Sequence, residues 1–275
     1  MIPCINQATV LPTDTLEFIV KAREAGFRLI EFDITRLEDG VQKHGMGRIK
    51  DLIKSTGVKV VSLNAIENFP ILTADEMKSS IDRCERIFEL SRSLGCEVVV
   101  VNPSEYSPST QTQMETAFDS FMKKLAPIAS RFSVKLGYEF VAYPNRIVNT
   151  LAESLRGLSR WGWETQFGLV LDVFHLFRTG EEISQIPTSM MNQVWIFHVN
   201  DAPPLPISVL KDSDRVFPGD GVVNIRKSLR ELERAGFNGP VSLELFNQKY
   251  WERPAAQVLQ ESWDRLEELQ GSTGH

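Results

Sequence analysis

The chain has 275 residues, 42% hydrophobic and 24% charged, with a formal net charge of −6. This is the balance of a globular protein with a sizeable core, which excludes disorder as the default state, and its acidic sign excludes the broad basic footprint that nucleic acid selects. No run approaches the roughly 18 apolar residues of a membrane span, so neither nucleic acid nor membrane is expected as a partner.

The opening stretch Met1–Asp14 lacks the basic and apolar regions of a signal peptide. Cys4, Cys84 and Cys96 form an odd set without CxxC spacing, which points to a reducing cytoplasm rather than a disulfide framework. Along the chain, short apolar runs alternate with longer segments of helical period, the signature of repeated βα units. The expected strands are Ile2–Asn6, Leu29–Asp33, Lys59–Asn64, Glu97–Asn102, Val134–Phe140, Gly168–Asp172, Trp195–Asn200 and Val241–Phe246. The expected helices are Asp14–Ala25, Arg48–Ser55, Ala74–Leu94, Gln111–Arg131, Ile147–Leu158, a short Glu181–Gln185, Ile225–Ala235 and Ala255–Leu269. Glycines 26, 57, 95 and 236 sit where helices turn into strands, and Thr13 or Asp14, Thr73 and Asn224 sit where N-caps belong. The proline-rich segment Ala202–Val223 reads as a long loop after the seventh strand, because the βα rhythm resumes beyond it. Residues 270–275 read as a frayed tail, and His44 as part of a loop after the second strand. A doubly wound sheet would advertise a glycine-rich turn after its first strand. This chain has Asn6-Gln7-Ala8-Thr9 there, so one (β/α)₈ TIM barrel spanning residues 1–275 is the expected fold.

In such barrels the C-terminal strand ends carry the chemistry. Glu139, Asp172, His198 and Glu244 fall at the ends of strands five to eight. Strand alternation sends Leu243 and Leu245 outward and Ser242 and Glu244 inward, and likewise Leu136, Tyr138 and Phe140 outward and Gly137 and Glu139 inward. Converging buried carboxylates require a cation, a shared proton or water. One divalent ion is the simplest answer, and three carboxylates with one imidazole suit Zn²⁺ or Mn²⁺, with Co²⁺ or Mg²⁺ as further choices. A single acid at a strand end is more often a cap or an ion-pair partner; four on consecutive strands are not so explained. His175, just past Asp172, could cap a helix, orient a ligand or reach a substrate, and Arg215 could bind an oxygen-rich substrate or lie exposed in its loop. Phe69, Phe217, Tyr250 and Trp251 fall in loops on the expected active side, where they fit pocket closure, packing or a homo-oligomer contact.

At these residues the chain resembles the xylose isomerase-like barrel superfamily of sugar isomerases and epimerases, and within it the inosose (2-keto-myo-inositol) isomerases. The matching stretches are Asn6–Thr9, Leu63–Ala65, Glu139–Val141, Gly168–Asp172 with Phe174-His175, Asp214–Val216 with Pro218-Gly219, and Val241–Phe246 followed by Tyr250. The resemblance implies that Glu139, Asp172, His198 and Glu244 hold the metal and that His175 and Arg215 contact substrate. It further implies that Glu139 and Glu244 move a proton on a small polyol ketone or sugar through a cis-enediolate. The loops Val199–Pro204 and Val173–Gly180 depart from the inosose isomerase pattern. Ketose 3-epimerase, hydroxypyruvate isomerase and dehydroshikimate dehydratase activities on the same scaffold are therefore alternatives. A related endonuclease for abasic DNA would need more histidines than four, and a non-catalytic metal or polyol binder is the alternative from another class.

Overall fold

The structure is a computed structural model that describes residues 1–107, 109–161 and 166–271. The chain runs β1 (Ile2–Asn6), α1 (Thr15–Ala25), β2 (Leu29–Asp33), α2 (Ile34–His44), α3 (Met46–Thr56), β3 (Lys59–Ile66), α4 (Ala74–Ser93), β4 (Val98–Val101) and α5 (Gln111–Arg131). It continues with β5 (Lys135–Tyr138), α6 (Leu151–Trp161), β6 (Phe167–Asp172), α7 (Val173–Thr179), β7 (Val194–Val199), α8 (Ile225–Arg234), β8 (Pro240–Leu243), α9 (Gln248–Trp251) and α10 (Ala255–Gly271). All eight strands are parallel and close into one barrel in chain order, with β8 pairing back onto β1.

Alternation along each strand sorts the side chains into two layers. Outward residues such as Ile5, Phe32, Val99, Leu136, Leu169, Phe197 and Leu243 join the helices' apolar faces in the main core. Each such side chain, once buried, contributes about 1.5–3 kcal/mol. Inward residues change character along the barrel axis. Lower down, Val100, Val170 and Ile196 pack together with Ala65, Val98 and Trp195. Towards the C-terminal ends the same face carries Asn6, Glu31, Glu139, Asp172, His198, Asn200 and Glu244, all buried.

Trp195 is an extra residue in β7. Leu169 pairs with Val194 but Val170 with Ile196, so Trp195 is bulged and lies against β6. Gly168 makes room for it: a Cβ there would stand 2.3 Å from the indole.

The expected caps form. Asp14, Thr73 and Asn224 accept from the first-turn amides of α1, α4 and α8, and Thr73 completes a capping box with Glu76. Gly57 and Gly95 take positive φ (70° and 66°) where the chain leaves a helix, a backbone that side chains with a Cβ resist.

Several elements differ from the sequence reading. α2 was expected to be loop; its first residue follows β2 directly, so no turn signal separates them. His44 accordingly ends a helix and bonds Asp14 Oδ2 at 2.8 Å. The helical return after β6 is α7, not Glu181–Gln185, of which Ile183–Gln185 forms only a 3₁₀ turn. Val173, Phe174, His175 and Leu176 in α7 are all buried, and a helix buried on every side has no amphipathic period to betray it. α6 starts at Leu151 rather than Ile147, where the Glu181 carboxylate accepts the free amides of Leu151 and Ala152. α10 continues to Gly271, so 270 and 271 are not frayed; 272–275 lie outside the described residues. Among the described residues no helix is long and apolar enough to cross a membrane.

Candidate metal centre at the barrel mouth

Asp172 ends β6 and His198 is the penultimate residue of β7, while Glu139 and Glu244 stand one residue past β5 and β8. Their amides still extend the ladder, Glu139 N–H donating to Val101 O and Glu244 N–H to Val199 O, both at 3.1 Å. The strand geometry therefore aims all four side chains inward. One donor atom from each lies within 4.8 Å of every other, and all four residues are buried.

His198 Nδ1 faces this shared space, 3.0 Å from Glu139 Oε1 and 3.5 Å from Glu244 Oε2. Its other nitrogen, Nε2, points away to Glu31, 3.1 Å from Oε1. Glu31 is itself fully buried and accepts a short hydrogen bond from Ser62 Oγ. An imidazole that donates one N–H to a carboxylate leaves its opposite nitrogen free to ligate, the usual arrangement around metal-bound histidine. Glu31→Gln keeps an acceptor but loses the charge, and its affinity for Zn²⁺ or Mn²⁺ is expected to fall about 10–100-fold. Chelator competition measures this, and an unchanged dissociation constant would remove Glu31 from the site.

Asp172 is tied on both oxygens. Oδ1 accepts from Phe174 N (2.7 Å) and Asn200 Nδ2 (3.2 Å), and Oδ2 pairs with Arg215 Nη1 (2.7 Å). Glu244 Oε1 accepts from Asn6 Nδ2 (2.8 Å) and Asn64 Nδ2 (2.9 Å), and Oε2 from Arg215 Nη1 (2.8 Å). Among the described residues, the side-chain partner of Glu139 is His198. Arg215 is itself buried, sits 4.8 Å from the Phe174 ring centre, and is held from behind by Asp212 (Nη2–Oδ1 2.6 Å). Asp212 in turn accepts from Tyr143 Oη at 2.8 Å. His175 Nε2 lies 3.4 Å from Arg215 Nη2, so the structure brings both expected substrate-contacting residues beside the quartet.

Protonation states show what the cluster lacks. Burial pushes Glu244 up to about 8, with Glu139 and Asp172 adding repulsion that His198 and Arg215 only partly offset. Burial opposes charge on His198, yet Glu244, Glu31 and Glu139 outweigh it and raise the imidazole well above its ordinary value. Burial lowers His175 and so favours its neutral form, against the pull of Asp172 and Asp212. Five carboxylates (Glu31, Glu139, Asp172, Asp212 and Glu244) thus gather around one permanent cation, Arg215; Glu31, Asp172 and Asp212 are held below the ordinary carboxylate range, and the balancing protons fall on His198 and Glu244. A divalent ion among three oxygens and one nitrogen would replace those protons, and the donor set fits Zn²⁺ or Mn²⁺. Among the described residues, Asn200 Oδ1 and both amide atoms of Gln7, directly after Asn6, are buried without a hydrogen-bond partner. Orphaned polar atoms at this end of the barrel suit a site completed by a ligand. A cleft of about 1060 Å³ bordered by Tyr143, Arg178 and Lys211 opens alongside.

The four aromatics make contacts within the chain: Phe217 and Tyr250 meet at a tilt of 53° with ring centres 4.5 Å apart, Phe69 meets Phe121 at 6.3 Å, and Trp251 Nε1 donates to Ala8 O at 2.8 Å. Sequence reasoning missed Glu31, Asn6, Asn64, Asn200 and Asp212. A glutamate at an inward position of an apolar strand was a legible signal for Glu31, since an unpaired buried acid is costly. The asparagines carried no such signal.

Comparison with known proteins agrees with the architecture. The inosose isomerase of Halalkalibacterium halodurans is 27% identical over 97% of this chain and 95% of its own length. The 3-dehydroshikimate dehydratase of Pseudomonas putida is 26% identical over 93% of this chain but 39% of its own length. The crystal structure of IOLI protein with a binding zinc atom superposes with a TM-score of 0.89 at 26% identity, covering 99% of both chains. The sequence profile of the xylose isomerase-like TIM barrel matches residues 19–269, and the chain belongs to that family.

Proposed function

We propose that this protein is a metal-dependent isomerase of a small, uncharged polyol ketone, with inosose as the first substrate, acting by proton transfer between adjacent carbons through a cis-enediolate. The observation that carries this reading is the pair of carboxylates, Glu139 and Glu244, that flank one space from β5 and β8. A divalent ion held by Glu139, Asp172, His198 and Glu244 would supply Lewis acidity at the carbonyl. Glu139, bonded among the described residues to His198, has lone pairs to remove the α-proton; Glu244, held by Asn6, Asn64 and Arg215, returns a proton to the neighbouring carbon. His175 and Arg215 hold substrate oxygens.

Charge favours an uncharged substrate. The charge of Arg215 is already balanced by Asp172, Asp212 and Glu244, so a phosphate or carboxylate would bring further negative charge into excess acid with no uncompensated cation to meet it. This ranks inosose above dehydroshikimate, hydroxypyruvate or a sugar phosphate, and leaves an uncharged ketose 3-epimerase as the second reading. Three buried free thiols suit a reducing cytoplasm.

The test is deuterium incorporation from D₂O into a panel of inososes, ketohexoses, hydroxypyruvate and dehydroshikimate, with Zn²⁺, Mn²⁺, Co²⁺ or Mg²⁺ restored after chelation. Exchange into an inosose supports the reading. Activity confined to a ketohexose overturns the substrate, and no exchange into any of them favours a non-catalytic binder. Chelation should also lower Tm, because an ion at 100 times its Kd stabilises the fold by about 2.7 kcal/mol. An unchanged Tm across metal removal counts against a bound ion.

A further inference from the structure

Asp201 follows Asn200 where the chain leaves β7, and it is 2% exposed. Its side chain bonds none of the four converging residues. Instead its carboxylate accepts four backbone N–H groups: Ala202 and Val223 at 2.8 Å on Oδ1, Gly219 at 3.0 Å and Gly221 at 3.1 Å on Oδ2. An ionised carboxylate has about four lone-pair sites, and here each is filled from the same loop. The Asp201 backbone pairs with Val216 in both directions, at 2.8 and 2.9 Å. Both ends of the segment 202–223 are thus gathered onto one residue, and the middle is stitched to it beside Arg215. The packing is close: a Cβ on Gly221 would stand 2.2 Å from Ala202 O and 2.4 Å from Asp201 Oδ1.

This matters because Arg215 reaches Asp172 and Glu244 from a loop and not from a strand. A long flexible side chain on a mobile loop would sample many positions, and catalytic geometry tolerates little displacement. We propose that Asp201 is the positioning residue for Arg215, its carboxylate fixing the 202–223 loop so that the guanidinium is delivered to Asp172 and Glu244. The catalytic consequence rests on the isomerase reading; the conformational one does not.

Asp201→Asn tests it, because the amide keeps the shape but turns an N–H₂ towards two of the four backbone donors. Limited trypsin digestion of the full chain reads the loop directly, since the buried Arg215 is reached only when it opens. Cleavage after Arg215 is expected to quicken about tenfold, with the other tryptic sites unchanged. With inosose, kcat/KM should fall about tenfold in the chain that carries Arg215 but less than about twofold in an Arg215→Ala background, as expected of residues acting through one another. Unchanged cleavage, uniformly faster cleavage at every site, or equal kinetic losses in both backgrounds overturns the proposal. If no polyol ketone is turned over, the isomerase reading fails and the cleavage pattern alone decides the role of Asp201. Should Asp201→Asn not fold, Gly221→Ala strains the same cage from the opposite side and is read in the same way.

Discussion

Glu244→Gln is expected to lower inosose turnover by about 10³-fold, within the range for loss of a general acid or base. The glutamine retains one carbonyl oxygen for Asn6 and Asn64, which now donate at 2.8 and 2.9 Å to Glu244 Oε1. Its N–H₂ then replaces Oε2 and points at Arg215 Nη1, a donor 2.8 Å away. Turning the amide over only exchanges that clash for two others. In a site 2% exposed to solvent, water cannot relieve either arrangement. The variant therefore loses a proton-transfer group and one oxygen that faces the metal space, and both kcat and metal affinity should fall. Steady-state kinetics together with metal analysis of the purified chain checks this. Full turnover with stoichiometric metal would remove Glu244 from the chemistry.

The second large effect is expected far from the chemistry. Gly168→Ala places a Cβ 2.3 Å from Trp195 Cε2 and 2.6 Å from the backbone oxygen of Gln193. Moving the indole alone does not relieve the strain, because the contact with Gln193 is to backbone, which no side-chain rotation removes. Overpacking of this kind costs about 3 kcal/mol when backbone must move. At this chain length that is a fall in Tm of about 5–10 °C. Thermal unfolding monitored by circular dichroism measures it, and a Tm within one or two degrees of the parent would mean that the bulged Trp195 relocates freely. The inner packing of Val100, Val170 and Ile196 supports the carboxylates above it, so the variant tests how far the site depends on its floor.

The barrel was legible because its signals are local. Each expected strand overlaps an observed one, and Ile2–Asn6 and Leu29–Asp33 match at both ends. Apolar runs, Asp14, Thr73 and Asn224 as caps, and glycines after the helices all act over a few residues. What failed locally did so for a physical reason. α2 abuts β2 without a turn, and α7 is buried too completely to show a period. Asp172 at its N-cap and Gly180 at its C-cap were the available signs, but an acid at a strand end reads as a cap, an ion-pair partner or a ligand alike.

The site divides in the same way. Alternation within β5 and β8 was enough to turn Glu139 and Glu244 inward, since the direction of a side chain on a strand is a property of its own backbone. The sequence by itself therefore determined the barrel and the inward direction of Glu139 and Glu244, and placed Asp172 and His198 at neighbouring strand ends. It did not determine which side chains hold that quartet in place. Asn6 and Asn64 reach Glu244 across sequence separations of 238 and 180 residues, and Glu31 meets His198 across 167. Those pairings exist only because β8 closes back onto β1, and no local pattern encodes the register of a closure. Arg215 is the sharpest case: the chain shows an arginine in a proline-rich loop, and only the tertiary structure, through the Asp201 cage and the Asp212 contact, turns it into a buried cation among carboxylates.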